Sequence, residues 1–414
     1  MKNYITRDNC RLCFSKEVEK IYSFPLCPPV DDFRLETELS NDIELFPMDL
    51  YLCKSCGHVQ LLDVVDPKIL FGNYIYTSSS SPDLDVHFDE YSKKLRNLLS
   101  LNENNFVIDI GSNDGLFLSK FKNYGIKVLG IDASSNAAKI AIENGIKTVV
   151  SFVNSEVVNK ILKEYGSADV VTANNVFSHS DDLTGFLLNA RDLLKKDGYF
   201  IFEVSYLKAI IDNKVIDYVY HEHLAHHSIK PLKAFLEKNK MRLVNVDFVD
   251  TKGGSIRCYA VNEASEINND LLIDELIKKE EAAGLYNPKT YEKLKSEITI
   301  QALELNKYLE QIKKDGGKIF SYGASATATV LNYLFDINKY FTFVIDDNHK
   351  RQNRFSPGVQ IPVVSKDVIN KDNPKAIVIS SWRFANMIIQ NNVEYLNNGG
   401  QFIIPLPEFK IIKN

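Results

Sequence analysis

Five of the eight histidines in this chain fall between positions 179 and 227. Tyr220, His221, Glu222 and His223 are consecutive, and His226 and His227 follow after two further residues. An imidazole exchanges a proton near neutral pH, and a nearby carboxylate can orient it and raise its basicity. Tyr220, Glu222 and His223 thus offer a proton donor, an orienting group and a base within four positions. Metal binding is the competing reading. The two imidazoles of His-Glu-His share a face only in a strand, and the helical zinc pattern H-E-x-x-H is absent. His179 closes the run Asn-Asn-Val-Phe-Ser-His at 174–179, and its place beside a strand end favours a functional role. His226 and His227 read as polar surface residues.

A second set of chemically active side chains lies near the N-terminus. Cys10 and Cys13 form one C-x-x-C pair, and Cys53 and Cys56 form another. Two such pairs match a four-thiolate zinc site, with each pair in a small knuckle and no coordination position left open. A structural zinc is therefore expected. Cys27 and Cys258 have no partner at useful spacing and read as packed residues.

The elements that position the histidines follow from the strand pattern. Residues 106–110, Phe-Val-Ile-Asp-Ile, read as a buried parallel strand, and Asp-Ile-Gly-Ser-Asn-Asp-Gly at 109–115 reads as a tight turn opening a helix. The glycine spacing fits neither the dinucleotide fingerprint nor the P-loop. Asp109 and Asp114 also bracket the turn where a phosphate would want neutrality or positive charge. A cofactor with a cationic centre and no phosphate suits it better, namely S-adenosylmethionine. A second strand, 127–131, leads to Asp132, placed to accept both ribose hydroxyls. Further strands are expected at 147–150, 168–173, 198–204, 241–248 and 255–261. The last two form a hairpin that puts one antiparallel strand into a parallel sheet. His179 and the 220–223 run then lie beyond the carboxyl ends of the fourth and fifth strands, where doubly wound sheets hold ligands. The segment 267–314 reads as helical, with Leu294, Ile298, Leu305, Leu309 and Ile312 on one stripe. A second α/β unit follows, with a strand at 318–322, the turn Gly-Ala-Ser-Ala at 323–326, and a strand at 341–345 ending in Asp346.

The chain has 414 residues, 45% hydrophobic and 25% charged, with a formal charge of −5. That length asks for two or three domains, here 1–85, 86–314 and 315–414. The acidic balance argues against a nucleic-acid partner. No apolar run approaches the roughly 20 residues that cross a bilayer, and the first residues have no signal-peptide core, so a cytoplasmic protein without a membrane partner is expected.

Taken together, these motifs resemble the sugar C-methyltransferases that act on nucleotide-linked 4-keto-deoxysugars. The resemblance spans the chain and rests on motifs in order. These are the cysteine pairs; Tyr-Ile-Tyr-Thr-Ser-Ser at 74–79; the glycine turn at 109–115; the run at 174–179; Tyr-His-Glu-His at 220–223; Gly-Gly-Ser-Ile-Arg at 253–257; and Asp346 leading to Arg-Phe-Ser-Pro-Gly at 354–358. It implies an α/β protein with an N-terminal zinc domain, a class I methyltransferase sheet that binds S-adenosylmethionine, and a C-terminal Rossmann-like domain. The resemblance also implies residue roles. His223 would be the base, with Glu222 orienting the site. Tyr220, Tyr76 and His179 would bind keto, hydroxyl and enolate oxygens. Gly111, Asn113 and Gly115 would line the methionine and ribose, Asp132 would take the ribose hydroxyls, Phe152 would pack on adenine, and Asp109 with Asn174 would face the amino-acid end. There are departures. Lys252 stands where a histidine often precedes the Gly-Gly turn, His226 and His227 replace the usual aromatics, and the turn at 324–329 lacks a lysine that some relatives carry.

The reaction expected is methyl transfer to C3 of an NDP-4-keto-deoxyhexose through an enolate, by a monomer. C5, the other carbon beside the ketone, follows the same logic. An NAD-dependent nucleotide-sugar oxidoreductase is suggested only by Asp346, about twenty residues beyond an incomplete glycine turn. A zinc-knuckle RNA methyltransferase is disfavoured by the charge.

Overall fold

Branched and aromatic side chains build the central sheet. The strand Phe106–Ile110 is buried along its whole length, as expected where helices cover both faces of a parallel sheet. The computed structural model describes residues 3–71, 77–80, 82–267 and 269–414. Its central sheet runs in the order Thr148–Val150, Lys127–Asp132, Phe106–Ile110, Ala168–Asn174, Leu194–Ser205, Ser255–Asn262, Met241–Val249. All neighbours are parallel except Ser255–Asn262, which is antiparallel to both Leu194–Ser205 and Met241–Val249. Chain direction across the sheet reverses at Phe106–Ile110. The crevice outside the carboxyl ends of this strand and of Ala168–Asn174 is therefore the topological binding position.

A second, antiparallel sheet has the order Ala225–His226, Val59–Leu61, Leu50–Cys53, Val18–Tyr22. Its edge strand comes from the histidine-rich run, in register Ala225 with Gln60 and His226 with Val59. His226 and His227 are consequently buried rather than at the surface. The His227 ring stacks on Phe177, with centroids 5.4 Å apart, and lies 5.6 Å from His58. A polar sequence alone does not show that a strand only two residues long will be covered on both faces by other parts of the chain.

The third sheet orders Arg354–Phe355, Pro362–Val364, Phe341–Ile345, Ile319–Tyr322, Ala376–Ile379, Phe402–Ile404, Lys410–Ile412, with five parallel strands between two antiparallel edges. The helical stretch before it is two helices rather than one, Asp270–Ala282 and Pro288–Lys314. Gly284, at φ +69°, ends the first helix. Asn287 caps the second with proline at its start, a position where the missing N–H costs nothing. The five stripe residues are all buried. They join one apolar cluster that includes Ile21 and Leu50 of the second sheet and Ile319 and Val378 of the third. Each such side chain contributes about 1.5–3 kcal/mol of transfer free energy.

One polar contact ties the third sheet to the histidine-bearing segment. Asp217 is fully buried in the short turn Ile216–Tyr218. Trp382 Nε1 donates to its Oδ2 at 2.9 Å, and Arg383 Nη1 lies 3.0 Å from its Oδ1. Removing one partner of a buried ion pair costs about 3–5 kcal/mol, because the other is left uncompensated. Asp217→Ala is expected to lower stability by that amount in urea unfolding. Trp382 is the sole tryptophan, so its emission should shift to the red in the folded variant. Unchanged emission and midpoint would mean that the contact holds nothing together.

Candidate functional site

After strand Ala168–Asn174 the chain turns through Asn175, at φ +56°, into the short helical turn Phe177–His179. After Leu194–Ser205 it makes the helix Leu207–Asp212 and the turn Ile216–Tyr218 before reaching His223. The two excursions meet. The rings of His179 and His223 are stacked with centroids 5.2 Å apart, and Tyr220 and Tyr218 lie 3.9 Å and 4.4 Å from His223. His223 Nδ1 is 2.7 Å from the Tyr218 carbonyl oxygen. A carbonyl only accepts, so the hydrogen sits on Nδ1 and the lone pair is left on Nε2. Burial holds His223 well below the usual imidazole range, and the neighbouring His179 adds to this. His179 keeps part of its surface open, yet burial, and after it the charge of Lys252, push it down to about 3. Both rings are therefore neutral at physiological pH.

Glu222 is buried beside them, and its proton is held up to about 8, first by burial and then by the charge of Asp31. Asp31 reaches the site from the N-terminal segment, 3.7 Å from Arg351 of the third sheet's loops. The sequence pattern did not single out Asp31, Tyr218 or Arg351, since an isolated acid, a backbone carbonyl and a surface-like arginine leave no spacing signature. Tyr76 lies outside the described residues.

The expected cofactor residues gather at the first strand's end. Gly111 has φ +74°, and a Cβ there would come within 2.9 Å of the Val176 side chain. Gly115, at φ +78°, is the N-cap of helix Leu116–Lys122. Asp132 accepts from the amides of Asn113 (2.7 Å) and Ser134 (2.8 Å), which fixes its carboxylate at the turn with further lone pairs to offer. Asp109 accepts from Thr172 at 2.6 Å and from Asn174 Nδ2 at 3.4 Å, and burial lifts it to about 7. Asn174 Oδ1 is buried with no partner among the described residues, the kind of acceptor that an ammonium would satisfy. Phe152 is largely exposed just past Thr148–Val150, leaving its ring available to an adenine. These groups fit an amino-acid-bearing nucleoside with a cationic centre. The side chain of Asn113 is otherwise engaged, since its Oδ1 accepts from Ser78 N and Asp114 Oδ2 accepts from Ser79 N, both at 2.8 Å. The end of the 74–79 motif is thereby pinned to the glycine turn.

The four N-terminal cysteines converge, with all ligand atoms within 4.8 Å of one another. Sγ–Sγ distances are 3.7 Å for Cys10–Cys56 and 3.5 Å for Cys13–Cys53. Zinc–sulfur bonds of about 2.3 Å in a tetrahedron require roughly 3.8 Å, so the set fits zinc with no open position. Behind it, the buried Arg11 bonds the Leu61 carbonyl and Gln60, and its Nε lies 3.0 Å from Asp181 Oδ1. Purified protein should carry about one zinc per chain by elemental analysis. Cys53→Ser should cut soluble yield several-fold while sparing the specific activity of what folds. Full yield from metal-free expression would refute a structural role.

Three family profiles match in succession. They are a "Putative zinc binding domain" at residues 10–71, a "Methyltransferase domain" at 86–245, and a "C-methyltransferase C-terminal domain" at 250–407. Among curated proteins the chain is 28% identical over 406 residues to C-methyltransferase NovU of Streptomyces niveus, covering 98% of this chain and 97% of that one. It is 26% identical over 185 residues to a ubiquinone biosynthesis O-methyltransferase of Burkholderia vietnamiensis, covering 41% of this chain and 76% of that one. Among solved structures, the PH0226 protein of Pyrococcus horikoshii aligns at 15% identity with a TM-score of 0.38, covering 46% of this chain and 97% of that one. The zinc, methyltransferase and C-methyltransferase profiles in this order, with a relative similar from end to end, support an S-adenosylmethionine-dependent C-methyltransferase.

Proposed function

We propose that this C-methyltransferase alkylates C3 of a nucleotide-linked 4-keto-deoxyhexose, with residues 1–85, 86–314 and 315–414 as its three units. One observation carries the reading. The 174–179 run touches both halves of the chemistry, with Asn174 on Asp109, Val176 against Gly111 and His179 stacked on His223. A cofactor at the glycine turn and a substrate at the imidazoles are thus neighbours.

A carbon beside a ketone is not nucleophilic until it loses a proton. Nε2 of His223 takes that proton, the C–H electron pair becomes the C=C bond, and the carbonyl π pair moves onto oxygen. The Tyr218 carbonyl keeps the imidazole in the tautomer that can do this. Tyr220, His179 and the protonated Glu222 donate to the keto, hydroxyl and enolate oxygens; Tyr76 joins them. When bound, S-adenosylmethionine supplies an electrophilic methyl carbon on a sulfonium centre. Asp109 and Asn174 hold its amino-acid end, Gly111, Asn113 and Gly115 line it, Asp132 takes the ribose, and Phe152 covers the adenine. The remaining contribution is positioning.

Two measurements test the reading. In deuterated water with S-adenosylhomocysteine present, the protein should exchange the C3 hydrogen of an NDP-4-keto-deoxyhexose, read by NMR. His223→Ala should slow this at least 100-fold and leave S-adenosylhomocysteine affinity within about twofold of the parent. Exchange at C5 would relocate the reacting carbon; failure with every 4-keto nucleotide would end the proposal. The second concerns Asp109, which below about 7 holds a proton and offers no charge to a cation. Affinity for S-adenosylmethionine should therefore weaken as pH falls from 8 to 6, approaching about tenfold per unit well below the transition. Asp109→Asn should bind weakly with a flat profile. A parent profile already flat would remove Asp109 from the cofactor site.

A further inference from the structure

We propose that His87 is a substrate-binding residue of this chain, its Nδ1 accepting a hydrogen bond from a ring hydroxyl of the keto-sugar while Glu203 holds the imidazole in place. The inference rests on the keto-sugar reading above and adds an imidazole from a helix outside the 174–227 stretch.

The group that fixes His87 is a carboxylate near the end of strand Leu194–Ser205. Glu203 is 1% exposed. Its Oε2 lies 3.1 Å from His87 Nε2 and accepts from Arg257 Nη2 at 2.9 Å, and its Oε1 accepts from Thr251 Oγ1 at 3.0 Å. Burial works against its charge, yet the hydrogen bonds and charges of His87 and Arg257 hold Glu203 down to about 2. An ionised carboxylate only accepts, so His87 carries a hydrogen on Nε2, and in the neutral ring the lone pair is on Nδ1. The His87 side chain keeps 13% of its surface open. A buried acid behind an imidazole with one open edge fixes both its tautomer and its direction.

Register puts this pair on the acceptor side of the cofactor. Glu203 is level with Asn174 on one neighbouring strand and with Arg257 on the other, and Asp109 is level with Thr172. Residues level between strands, or two apart along one, share a face. Asp109, Asn174, Glu203 and Arg257 therefore form one row across the carboxyl edge of the sheet. The glycine turn lies at the Asp109 end. Glu203 sits one strand beyond Asn174, about 4.8 Å further from that turn, and its carbonyl accepts from Asn175 N at 2.8 Å. Helix Pro82–Leu98 covers this face, with the Arg257 guanidinium 3.2 Å from the centre of the Tyr91 ring and Tyr91 packed among Val107, Val170 and Ile201. The run to His179 uses the opposite face, where Phe177 packs on Phe200 and Phe202. A sugar lying across the edge at Asn174 and Glu203 thus has His87 on one side and the stacked His179 and His223 on the other. A pyranose carries hydroxyls around its rim, and a fixed acceptor is what separates a hydroxyl from a hydrogen.

The test is the same deuterium exchange, with kcat/KM measured for the parent, His87→Phe, His87→Ala and His87→Gln. The substrates are a 4-keto-6-deoxyhexose nucleotide and its 2-deoxy and 3-deoxy forms, and titration with S-adenosylhomocysteine confirms that each variant is folded. The Phe and Ala variants should lose about tenfold on the full substrate. On one of the two deoxy forms they should stay within about twofold of the parent, which marks the hydroxyl that His87 takes. His87→Gln keeps an N–H for Glu203 and an oxygen acceptor, and should recover most of the loss. A loss of the same size on all three substrates overturns the proposal, because His87 then only holds its helix in place. So do variants as active as the parent on the full substrate. A parent that exchanges no 4-keto nucleotide overturns the functional reading and this role with it, whereas an active parent with either of the preceding outcomes overturns only the role of His87.

Discussion

The position of the His223 imidazole depends on a segment of about a dozen residues that every part of the chain grips. At its start Asp217 is held by Trp382 and Arg383 from beyond the third sheet. At its end Ala225–His226 pairs with Val59–Leu61, Leu61 N donates to Leu224 O at 3.0 Å, and Leu207 N donates to His227 O at 2.9 Å. Between these anchors the backbone curls so that the Tyr218 carbonyl meets His223 Nδ1. Few of these anchoring contacts are local in sequence, so the setting of this imidazole draws on the N-terminal, central and C-terminal portions together. This ties the thiolate site to the packing around the imidazole and not to the chemistry. Zinc closes the knuckles, the knuckles seat Arg11, and Arg11 braces the carbonyls of the strand on which the histidine run is laid.

The electrostatics of that run present an apparent conflict. Burial makes His223 a weak base, while the proposed reaction asks it to take a proton from carbon. The resolution lies in what the proton's departure creates. An enolate beside an imidazolium in a low-dielectric enclosure compensates the charge that burial penalises, so the effective basicity of His223 rises along the reaction coordinate. The same enclosure protonates Glu222, giving it a hydrogen to donate at neutral pH. A solvent-open site would lose both effects, because water would stabilise the charged imidazole and the ionised glutamate before substrate arrived.

The strands of the central sheet were readable because each is a short branched apolar run bounded by glycine or polar turns, and all seven occur within a few residues of the expected positions. The cysteine pairs were readable because tetrahedral coordination dictates their spacing. What could not be read was whatever depends on a distant partner. His226 and His227 look like surface residues until Val59, Phe177 and His58 cover them. The helix break at Gly284 is invisible in a continuous polar–apolar pattern whose stripe survives on one side of it. The partner of His223 is a backbone carbonyl, which no side-chain pattern encodes.

The two α/β units share one local device, and comparing them shows what the acid at the second strand is for. In the central unit Gly111 N donates to Ile131 O at 2.7 Å, while Asp132 takes the amides of Asn113 and Ser134 at 2.7 and 2.8 Å. In the C-terminal unit Gly323 N donates to Ile345 O at 2.7 Å, while Asp346 takes the amides of Ala324 and Asn348 at 2.7 and 2.8 Å. In both, a glycine with positive φ lets the turn fold back on the neighbouring strand. The carboxylate then clamps two turns at once, satisfying amides that the tight turns leave unpaired. The acid is therefore first a structural clamp, and ligand recognition is added to it. Hence the spacing of glycine and acid identifies the architecture in both halves, while the distinction between them rests on what surrounds the clamp: Asp109, Asn174 and an open aromatic in one, and a buried Ser321–Ser380 hydroxyl pair in the other.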